Sequence, residues 1–343
     1  MSRSMIESNT RFFENLALRL DEDLAIRVAN SKRYIQTNGE EKEWLKFAAL
    51  KFSFRFSRDV YALLLSFNST AYLCLINMFV PYGATLNSIT ECTVNSGLVT
   101  LLGSEGYITP KLDRQRQQQI LTYVLYDTSD MEYCGHSWDD IREYFPPIFC
   151  YEVQSVPELS DISDNQSVFY KLLSQVVHEF GLSNNPYSEI SNGAWEKILY
   201  ETDISKISFK NLLQAYTALS WDITYLYLYQ CLEDKFTIES VYSLHKTLSL
   251  SISEQDFSRL LYDELSWQPR DVDSIEKIIS RIGTNSKAVQ IINEINVEGS
   301  PAKFIYRMRN CIVHETRDAL LAQNENEKWE KVITGLLYLL IEI

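Results

Sequence analysis

Apolar residues in this chain recur mainly at spacings of three and four, and few glycines or prolines interrupt them. The 343 residues include 11 glycines and 8 prolines. Spacings of three and four place apolar side chains on one face of an α-helix, whereas glycine and proline mark the breaks between elements. The pattern therefore predicts an all-α protein, built from amphipathic helices that pack by their apolar faces.

Residues 1–160 are expected to form a mostly helical N-terminal domain with a sensor or substrate-holding role. Its longest apolar region, Val60–Val80, contains Ser, Asn and Thr. A membrane span needs about 20 nearly uninterrupted apolar residues, so we expect buried helices there. The stretch TVNSGLVTLLGSEGYIT, between Pro81 and Pro110, is rich in turn-forming residues and is expected to contain a short hairpin. The expected helices are Arg11–Asn30, Glu41–Phe56, Asp59–Phe79 and Leu112–Tyr126.

A domain boundary is expected at Pro146–Gln166, where a proline pair, a third proline and a polar acidic run follow one another. A second helical domain is expected over residues 165–343, and its short connections favour an antiparallel bundle. The expected helices are Ser167–Phe180, Ala194–Glu201, Ser208–Glu233, Ile238–Leu248, Glu254–Leu265, Val272–Ile282, Ser286–Ile295, Pro301–Leu321 and Glu325–Ile343.

The chain is acidic, with 32 Lys and Arg against 46 Asp and Glu and a net charge of -14. Phosphate contacts need clustered positive charge, so any site for nucleic acid must be local. The first thirty residues lack the apolar centre and cleavage site of a secretory signal, which predicts a cytoplasmic protein without a membrane anchor. The 6 cysteines form no C-x-x-C pair and are expected to be reduced thiols.

One segment departs from this acidic character: Pro301–Leu320, with the sequence PAKFIYRMRNCIVHETRDAL. Ser300 before Pro301 predicts a capped helix start. At about 100° per residue, the apolar side chains form a stripe that faces a core. The members of this stripe are Phe304, Ile305, Met308, Cys311 and Ile312. The outward face collects polar and cationic side chains, namely Lys303, Arg307, Asn310, His314 and Arg317, with Arg309 at its border.

These polar residues have the chemistry for cleaving RNA without a metal. Histidine transfers a proton near neutral pH, arginine holds a phosphate oxygen, and an amide orients a substrate or an imidazole. A base takes the proton of the 2′-OH while a cation stabilises the charge on phosphorus. The cations Lys303, Arg307 and Arg317 are expected to bind RNA phosphate.

Two apolar side chains, Tyr306 and Val313, lie on the same polar face. We expect them to contact the same helix in a second protomer. An isologous interface uses one patch twice, so a two-fold dimer would place two Arg-Asn-His sets across one cleft.

The string Arg309-Asn310-x-x-x-His314 resembles the R-x4-6-H signature of HEPN domains, in its R-N-x-x-x-H form. The resemblance covers about the last 140 residues, with an expected core at 205–343. It implies a metal-independent endoribonuclease of toxin-antitoxin, abortive-infection or other anti-phage defence, acting as a homodimer. Arg309 and His314 would be catalytic, with Asn310 as their polar companion.

The resemblance also implies an enzyme without a cofactor, whose partners are RNA and an inhibitor or trigger protein. Some HEPN domains are scaffolds, so the alternative is a non-catalytic dimeric binding or adaptor module. A further alternative is an acidic N-terminal region that mimics nucleic acid or binds a basic phage protein.

Other constellations lack the residues that their chemistry needs. His178-Glu179 opens like a zinc-protease helix, but Leu182 stands where the second histidine is required. Cys134 and His136 have no second ligand pair at a suitable spacing. Neither a phosphate-binding loop nor a G-x-G-x-x-G motif occurs. The aromatic run Trp221, Tyr225, Tyr227 and Tyr229 is expected to belong to a core helix rather than to stack on bases.

Overall fold

A computed structural model describes residues 2–20, 33–110, 113–125, 133–154, 157–159, 161–182, 192–265, 267, 269–295, 299–314 and 326–343. The chain divides into two compact units. The first unit comprises Met1–Phe169 and Glu179–Leu182, and the second comprises Tyr170–His178 and Ser183–Ile343.

The first unit is built around a five-stranded antiparallel sheet with the strand order β1-β2-β3-β5-β4. The strands are β1 (Ala49–Ser57), β2 (Val60–Phe67), β3 (Thr70–Ile76), β4 (Ile89–Cys92) and β5 (Ile148–Val153). The helices are α1 (Met5–Leu18), α2 (Gly39–Phe47), α3 (Ser96–Ser104), α4 (Arg114–Gln119, continued by a π-helical turn at Ile120–Val124) and α5 (Trp138–Ile141). Short 3-10 turns occur at Arg142–Tyr144 and Pro157–Leu159.

This sheet shows that the all-α prediction is wrong, because the chain combines helices with strands. The expected helix Asp59–Phe79 is instead the hairpin of β2 and β3. A short apolar run is equally compatible with a buried strand and a buried helix, and β2 is such a run, VYALLLSF. Its turn residues Asn68 and Ser69 have φ angles of 49° and 64°. Positive φ at both central residues is typical of the tight turn of a β-hairpin.

Two further predictions in the first unit are wrong. The expected helix Glu41–Phe56 ends at Phe47 and gives way to β1, whose sequence ALKFSFRFS alternates apolar and polar residues as a half-buried strand does. The expected hairpin forms helix α3, because the side chain of Asn95 accepts a hydrogen bond from the Leu98 N–H at 2.8 Å and caps the helix.

The core of the first unit lies between the sheet and helices α1 and α3. Buried side chains of α1 pack with those of α3 and of the central strands in one cluster. Gly97 of α3 permits a close approach of α2, since a Cβ atom at this position would lie 1.8 Å from the carbonyl oxygen of Glu41. The packing of these two helices therefore depends on the absence of a side chain at Gly97.

In the second unit, all the described elements are helices. They are α6 (Gln166–Glu179, whose residues contribute to both units), α7 (Asn192–Glu201), α8 (Phe209–Tyr216), α9 (Trp221–Thr247), α10 (Glu254–Leu265), α11 (Asp271–Ile282), α12 (Lys287–Ile295), α13 (Pro301–Val313) and α14 (Asn326–Glu342). The sequence predicted α10, α11 and α12 to within one residue. Its helix Ser208–Glu233 is wrong, because a break at residues 217–220 separates α8 from α9.

Helix α9 is the central helix of the second unit, in contact with α8, α10, α11, α13 and α14. Its side chains Trp221, Tyr225 and Tyr229 are buried, which confirms the core prediction for these three members of the aromatic run, whereas Tyr227 is half-buried. None of the helices in the described part of the chain has the length and apolar content that a membrane crossing requires.

Candidate functional site

Helix α13 carries the Arg-Asn-His string, and its two ends are defined by capping contacts. The side chain of Ser300 accepts a hydrogen bond from the Lys303 N–H at 3.3 Å, and Pro301 occupies the first turn, which confirms the predicted start. His314 is the capping residue at the other end, and its backbone N–H donates to the Asn310 carbonyl oxygen at 2.9 Å. The helix predicted to reach Leu321 is described only to this point.

The two faces of α13 differ in burial as the sequence predicts over the first two turns, but not in the last turn. Ala302, Phe304, Ile305 and Met308 are buried. Lys303, Arg307, Val313 and His314 are exposed, and Val313 keeps 47% of its surface in contact with solvent. The half-buried residues are Tyr306, Arg309, Asn310, Cys311 and Ile312. Arg317, which was expected to bind phosphate, lies outside the described residues.

Arg309 and Asn310 are joined by a hydrogen bond between their side chains. The Nη1 atom of Arg309 donates to Oδ1 of Asn310 at 3.1 Å. Asn310 also holds His314 through the backbone, so contacts within the last turn of α13 link the three residues. The amide oxygen fixes the direction of the guanidinium group, while the imidazole of His314 extends from the helix end into solvent.

Helix α9 lies against the Arg309 side of α13. The buried hydroxyl of Tyr225 donates to the carbonyl oxygen of Ile305 at 2.6 Å, one turn before Arg309. Tyr229 and Glu233 follow Tyr225 at intervals of four residues and therefore share its face of α9. Burial raises the pKa of Tyr225 well above its ordinary value. Burial also raises the pKa of Glu233, and the positive charge of Arg309 opposes this rise.

Glu233 belongs to an acidic region between α9, α10 and α11. The hydroxyl of Tyr229 donates to Oδ2 of Asp271 at 3.2 Å. Burial raises the pKa of Asp234, while Lys235 opposes the rise. Glu233, Asp234 and Asp271 line an open cavity of about 580 Å³, together with aromatic side chains such as Trp267. Arg309 thus has acidic neighbours within its own chain, and its charge is partly balanced there.

Sequence reasoning missed these acidic neighbours of Arg309. The spacing of Tyr225, Tyr229 and Glu233 by four residues was a signal that they share a face of one helix. No signal in the sequence identified α13 as the helix that this face contacts, because helix pairing is decided by the packing of the whole unit.

The other histidines have structural surroundings. The Nδ1 atom of His178 lies 2.9 Å from the hydroxyl oxygen of Tyr216. The Nε2 atom of His136 lies 3.0 Å from the Val124 carbonyl oxygen, and burial lowers the pKa of His136. Among the described residues, no group of three or more His, Cys, Asp or Glu side chains is arranged to hold a metal ion.

Comparison of the chain with protein-family models, with curated proteins and with solved structures found no match. Function is therefore inferred from the residues of this chain and their geometry.

Proposed function

We propose that the protein is a metal-independent endoribonuclease of the HEPN type, acting as an effector of anti-phage defence, abortive infection or a toxin-antitoxin system. The observation that carries the proposal is the exposed imidazole of His314 at the end of α13, one turn after a hydrogen-bonded Arg309-Asn310 pair. Cleavage by the 2′-OH requires a proton acceptor open to solvent and a cation that stabilises the charge on phosphorus, and the end of α13 carries a residue of each kind. The resemblance to the R-N-x-x-x-H signature supports the same assignment.

In the proposed reaction, His314 takes the proton from the 2′-OH, and the oxygen attacks the adjacent phosphorus. The bond from phosphorus to the 5′ oxygen breaks, and that oxygen takes a proton from the solvent, to which His314 later returns the proton that it accepted. Arg309 stabilises the charge on the non-bridging oxygens, and Asn310 orients the guanidinium group through its hydrogen bond. The products are a 2′,3′-cyclic phosphate, or the 3′-phosphate formed by its hydrolysis, and a 5′-hydroxyl.

The exposed cations of α13 supply the phosphate contacts in this proposal. Lys303 and Arg307 lie four residues apart, so they are neighbours on one face of the helix. With Arg317, they would contact RNA phosphates on either side of the cleaved bond. Contacts of this kind position a substrate without reading its sequence.

The proposed active form is a homodimer through α13. Val313 is an exposed apolar side chain next to His314, and Tyr306 is half-buried on the preceding turns. Pairing of this face with a second copy would cover Val313 and bring two sets of catalytic residues to one cleft.

The test is cleavage of RNA by the purified full chain in the presence of EDTA. We expect a 2′,3′-cyclic phosphate or 3′-phosphate at the cut, and loss of cleavage in His314→Ala with an unchanged melting temperature, since His314 is exposed. His245→Ala is the matched control, because His245 is also at a helix surface, with its Nε2 atom 2.6 Å from the Ile252 carbonyl oxygen. Cleavage that persists in His314→Ala would refute the role of this residue.

A second candidate function, a non-catalytic dimeric binding or adaptor module, is favoured by one observation. Arg309 is half-buried near Glu233, so part of its charge is already balanced within the chain. This function predicts that no RNA is cut, and that Arg309→Ala and His314→Ala change the size of the particle in solution. Light scattering of the wild type and both variants, run beside the RNA assay, separates the two functions.

A further inference from the structure

Three of the six cysteines lie side by side on one face of the sheet. Cys74 of β3 and Cys92 of β4 each stand directly opposite Cys150 of β5. Side chains of directly opposed residues in antiparallel strands project from the same face. The sulfur atoms of Cys74 and Cys150 are 3.7 Å apart, and all three cysteines are free thiols. The sequence gives no sign that these three cysteines are neighbours, because long stretches of chain separate them.

The hydrogen bonds between β3 and β5 define the geometry of the first pair. The Asn77 N–H donates to the Pro147 carbonyl oxygen at 2.8 Å, just beyond the paired strands. Hydrogen-bonded and non-hydrogen-bonded pairs alternate along an antiparallel ladder. Asn77 and Pro147 are a hydrogen-bonded pair, and Cys74 and Cys150 lie three positions before them along the ladder. An odd number of steps changes the kind of pair, so Cys74 and Cys150 are a non-hydrogen-bonded pair, in which the Cα atoms are about 4.5 Å apart.

The same count on the other side of β5 gives the second pair. The Gln154 N–H donates to the Ser88 carbonyl oxygen at 2.8 Å. Cys92 and Cys150 lie four positions from the pair of Ser88 and Gln154. An even number of steps keeps the kind of pair, so Cys92 and Cys150 are a hydrogen-bonded pair, with Cα atoms about 5.5 Å apart. Both separations lie within the range of about 4.4–6.8 Å that a disulfide spans.

The three thiols differ in their access to solvent. Cys74 and Cys150 are buried, whereas Cys92 on the edge strand is half-buried. The hydrogen bond to Cys150 raises the pKa of the Cys92 thiol, and burial raises it further. Thiols with a raised pKa are protonated at neutral pH, so an oxidant reacts with them slowly and through their minor thiolate form.

We propose that Cys92 and Cys150 form a reversible oxidation site, with Cys92 as the thiol that meets the oxidant and Cys150 as the thiol that resolves it. With a peroxide as oxidant, the Cys92 thiolate attacks one oxygen, the O–O bond breaks and hydroxide leaves, which gives a sulfenic acid. The Cys150 sulfur then attacks the Cys92 sulfur, an S–S bond replaces the S–O bond, and water leaves with the Cys150 proton. Two thiols and one peroxide become one disulfide and two waters.

Cys74 is a second thiol with which Cys150 can form a disulfide. Its sulfur is in contact with that of Cys150, so attack there forms the Cys74–Cys150 bond and returns Cys92 to a thiol. Either bond ties β5 to a neighbouring strand. The Cys92–Cys150 bond fixes the edge strand β4, which forms one wall of an open cavity of about 730 Å³ through Ile89, Thr90 and Glu91.

The experiment treats the reduced full chain with hydrogen peroxide at pH 8, alkylates the remaining thiols and maps the peptides by mass spectrometry without reductant. We expect a Cys92–Cys150 or Cys74–Cys150 link that dithiothreitol removes. In Cys74→Ala, the link should be Cys92–Cys150 alone. In Cys150→Ala, no link should join Cys74 to Cys92, because β4 and β3 are two strand spacings apart, about 10 Å, and dimedone should then trap the Cys92 sulfenic acid.

Cys134→Ser is the matched control, because Cys134 is exposed and is not one of the three neighbouring cysteines. This variant should form the same link as the wild type. The proposal is overturned if Cys150 of Cys74→Ala remains fully alkylatable after treatment, whatever link the wild type forms. It is equally overturned if Cys92 is found joined to Cys134 or Cys311, or only as sulfinic acid.

Discussion

The hydroxyl of Tyr225 ties α9 to the middle of α13, and its removal should loosen the helix that carries the candidate site. The ring is fully buried, its hydroxyl donates to the Ile305 carbonyl oxygen, and burial raises the pKa of Tyr225 further above neutrality. Tyr225→Phe keeps the ring and its contacts with Tyr229 and Trp329, at centroid distances of 6.2 and 6.4 Å. The substitution therefore removes one hydrogen bond with little change in volume.

The expected loss of stability depends on the hydrogen bonds that the Ile305 carbonyl oxygen retains after the substitution. A net hydrogen bond contributes about 0.5–1.5 kcal/mol, and a buried polar group left without a partner costs about 1–3 kcal/mol. Without the Tyr225 hydroxyl, the Ile305 carbonyl oxygen still accepts the hydrogen bond within the helix from the backbone N–H four residues later. The cost should therefore lie at the lower end of the range for a buried group without a partner. We expect a cost of about 1–1.5 kcal/mol, which raises the equilibrium population of opened α13, and with it the rate of hydrogen exchange, by roughly five- to twelvefold.

Hydrogen exchange of the peptide covering residues 301–313 measures this opening directly, without the assumption that a chain of two units unfolds in one step. Tyr227→Phe is the control, since Tyr227 lies on the same helix but is only half-buried. The reasoning is refuted if Tyr225→Phe leaves exchange in α13 unchanged, or if Tyr227→Phe accelerates it equally.

Three further predictions concern stability and pH. Gly97→Ala should destabilise the first unit by more than about 3 kcal/mol in urea unfolding, because its Cβ atom would overlap a backbone carbonyl, whereas Gly193→Ala, with open space around it, should be neutral or stabilising. Burial lowers the pKa of His136 below its ordinary value of 6.5, so the unfolded chain binds a proton that the folded chain does not. The free energy of unfolding of the first unit should therefore fall as the pH drops below about 6.5, and His136→Gln should flatten that slope in melting curves. Burial raises the pKa of Glu233, so its charged form opposes folding above the pH at which it ionises, and Glu233→Gln should raise the melting temperature at pH 7 and leave it unchanged at pH 4.

The sheet escaped prediction from the sequence for reasons that are specific to its strands. The centre of β2 is buried on both faces of the sheet, so β2 lacks the apolar-polar alternation that distinguishes a half-buried strand from a buried helix. The edge strand β1 does alternate, and a count of its pattern would have identified it. Asn68 and Ser69 count against a membrane span, but a polar pair between two apolar runs is also a hairpin signal.

The candidate site was more accessible to sequence reasoning, because most of it lies on one helix. The cap at Ser300 and the burial of Phe304, Ile305 and Met308 follow from local rules and are confirmed. Cys311 and Ile312, expected in the same stripe, are only half-buried because they lie in the last turn of α13. The carboxylate of Glu233 and the hydroxyl of Tyr225 could not be placed, since they reach α13 through the packing of α9.

The fold holds the two principal residues of the candidate site in different ways. Arg309 is half-buried, bonded to Asn310 and close to the charge of Glu233, so its position depends on α9 as well as on α13. His314 projects from the helix end and takes no part in the core. Substitution of Arg309 should therefore alter both the stability of the second unit and any chemistry at α13, whereas substitution of His314 should alter the chemistry alone. The two variants therefore separate an effect on the fold from an effect on the proposed reaction.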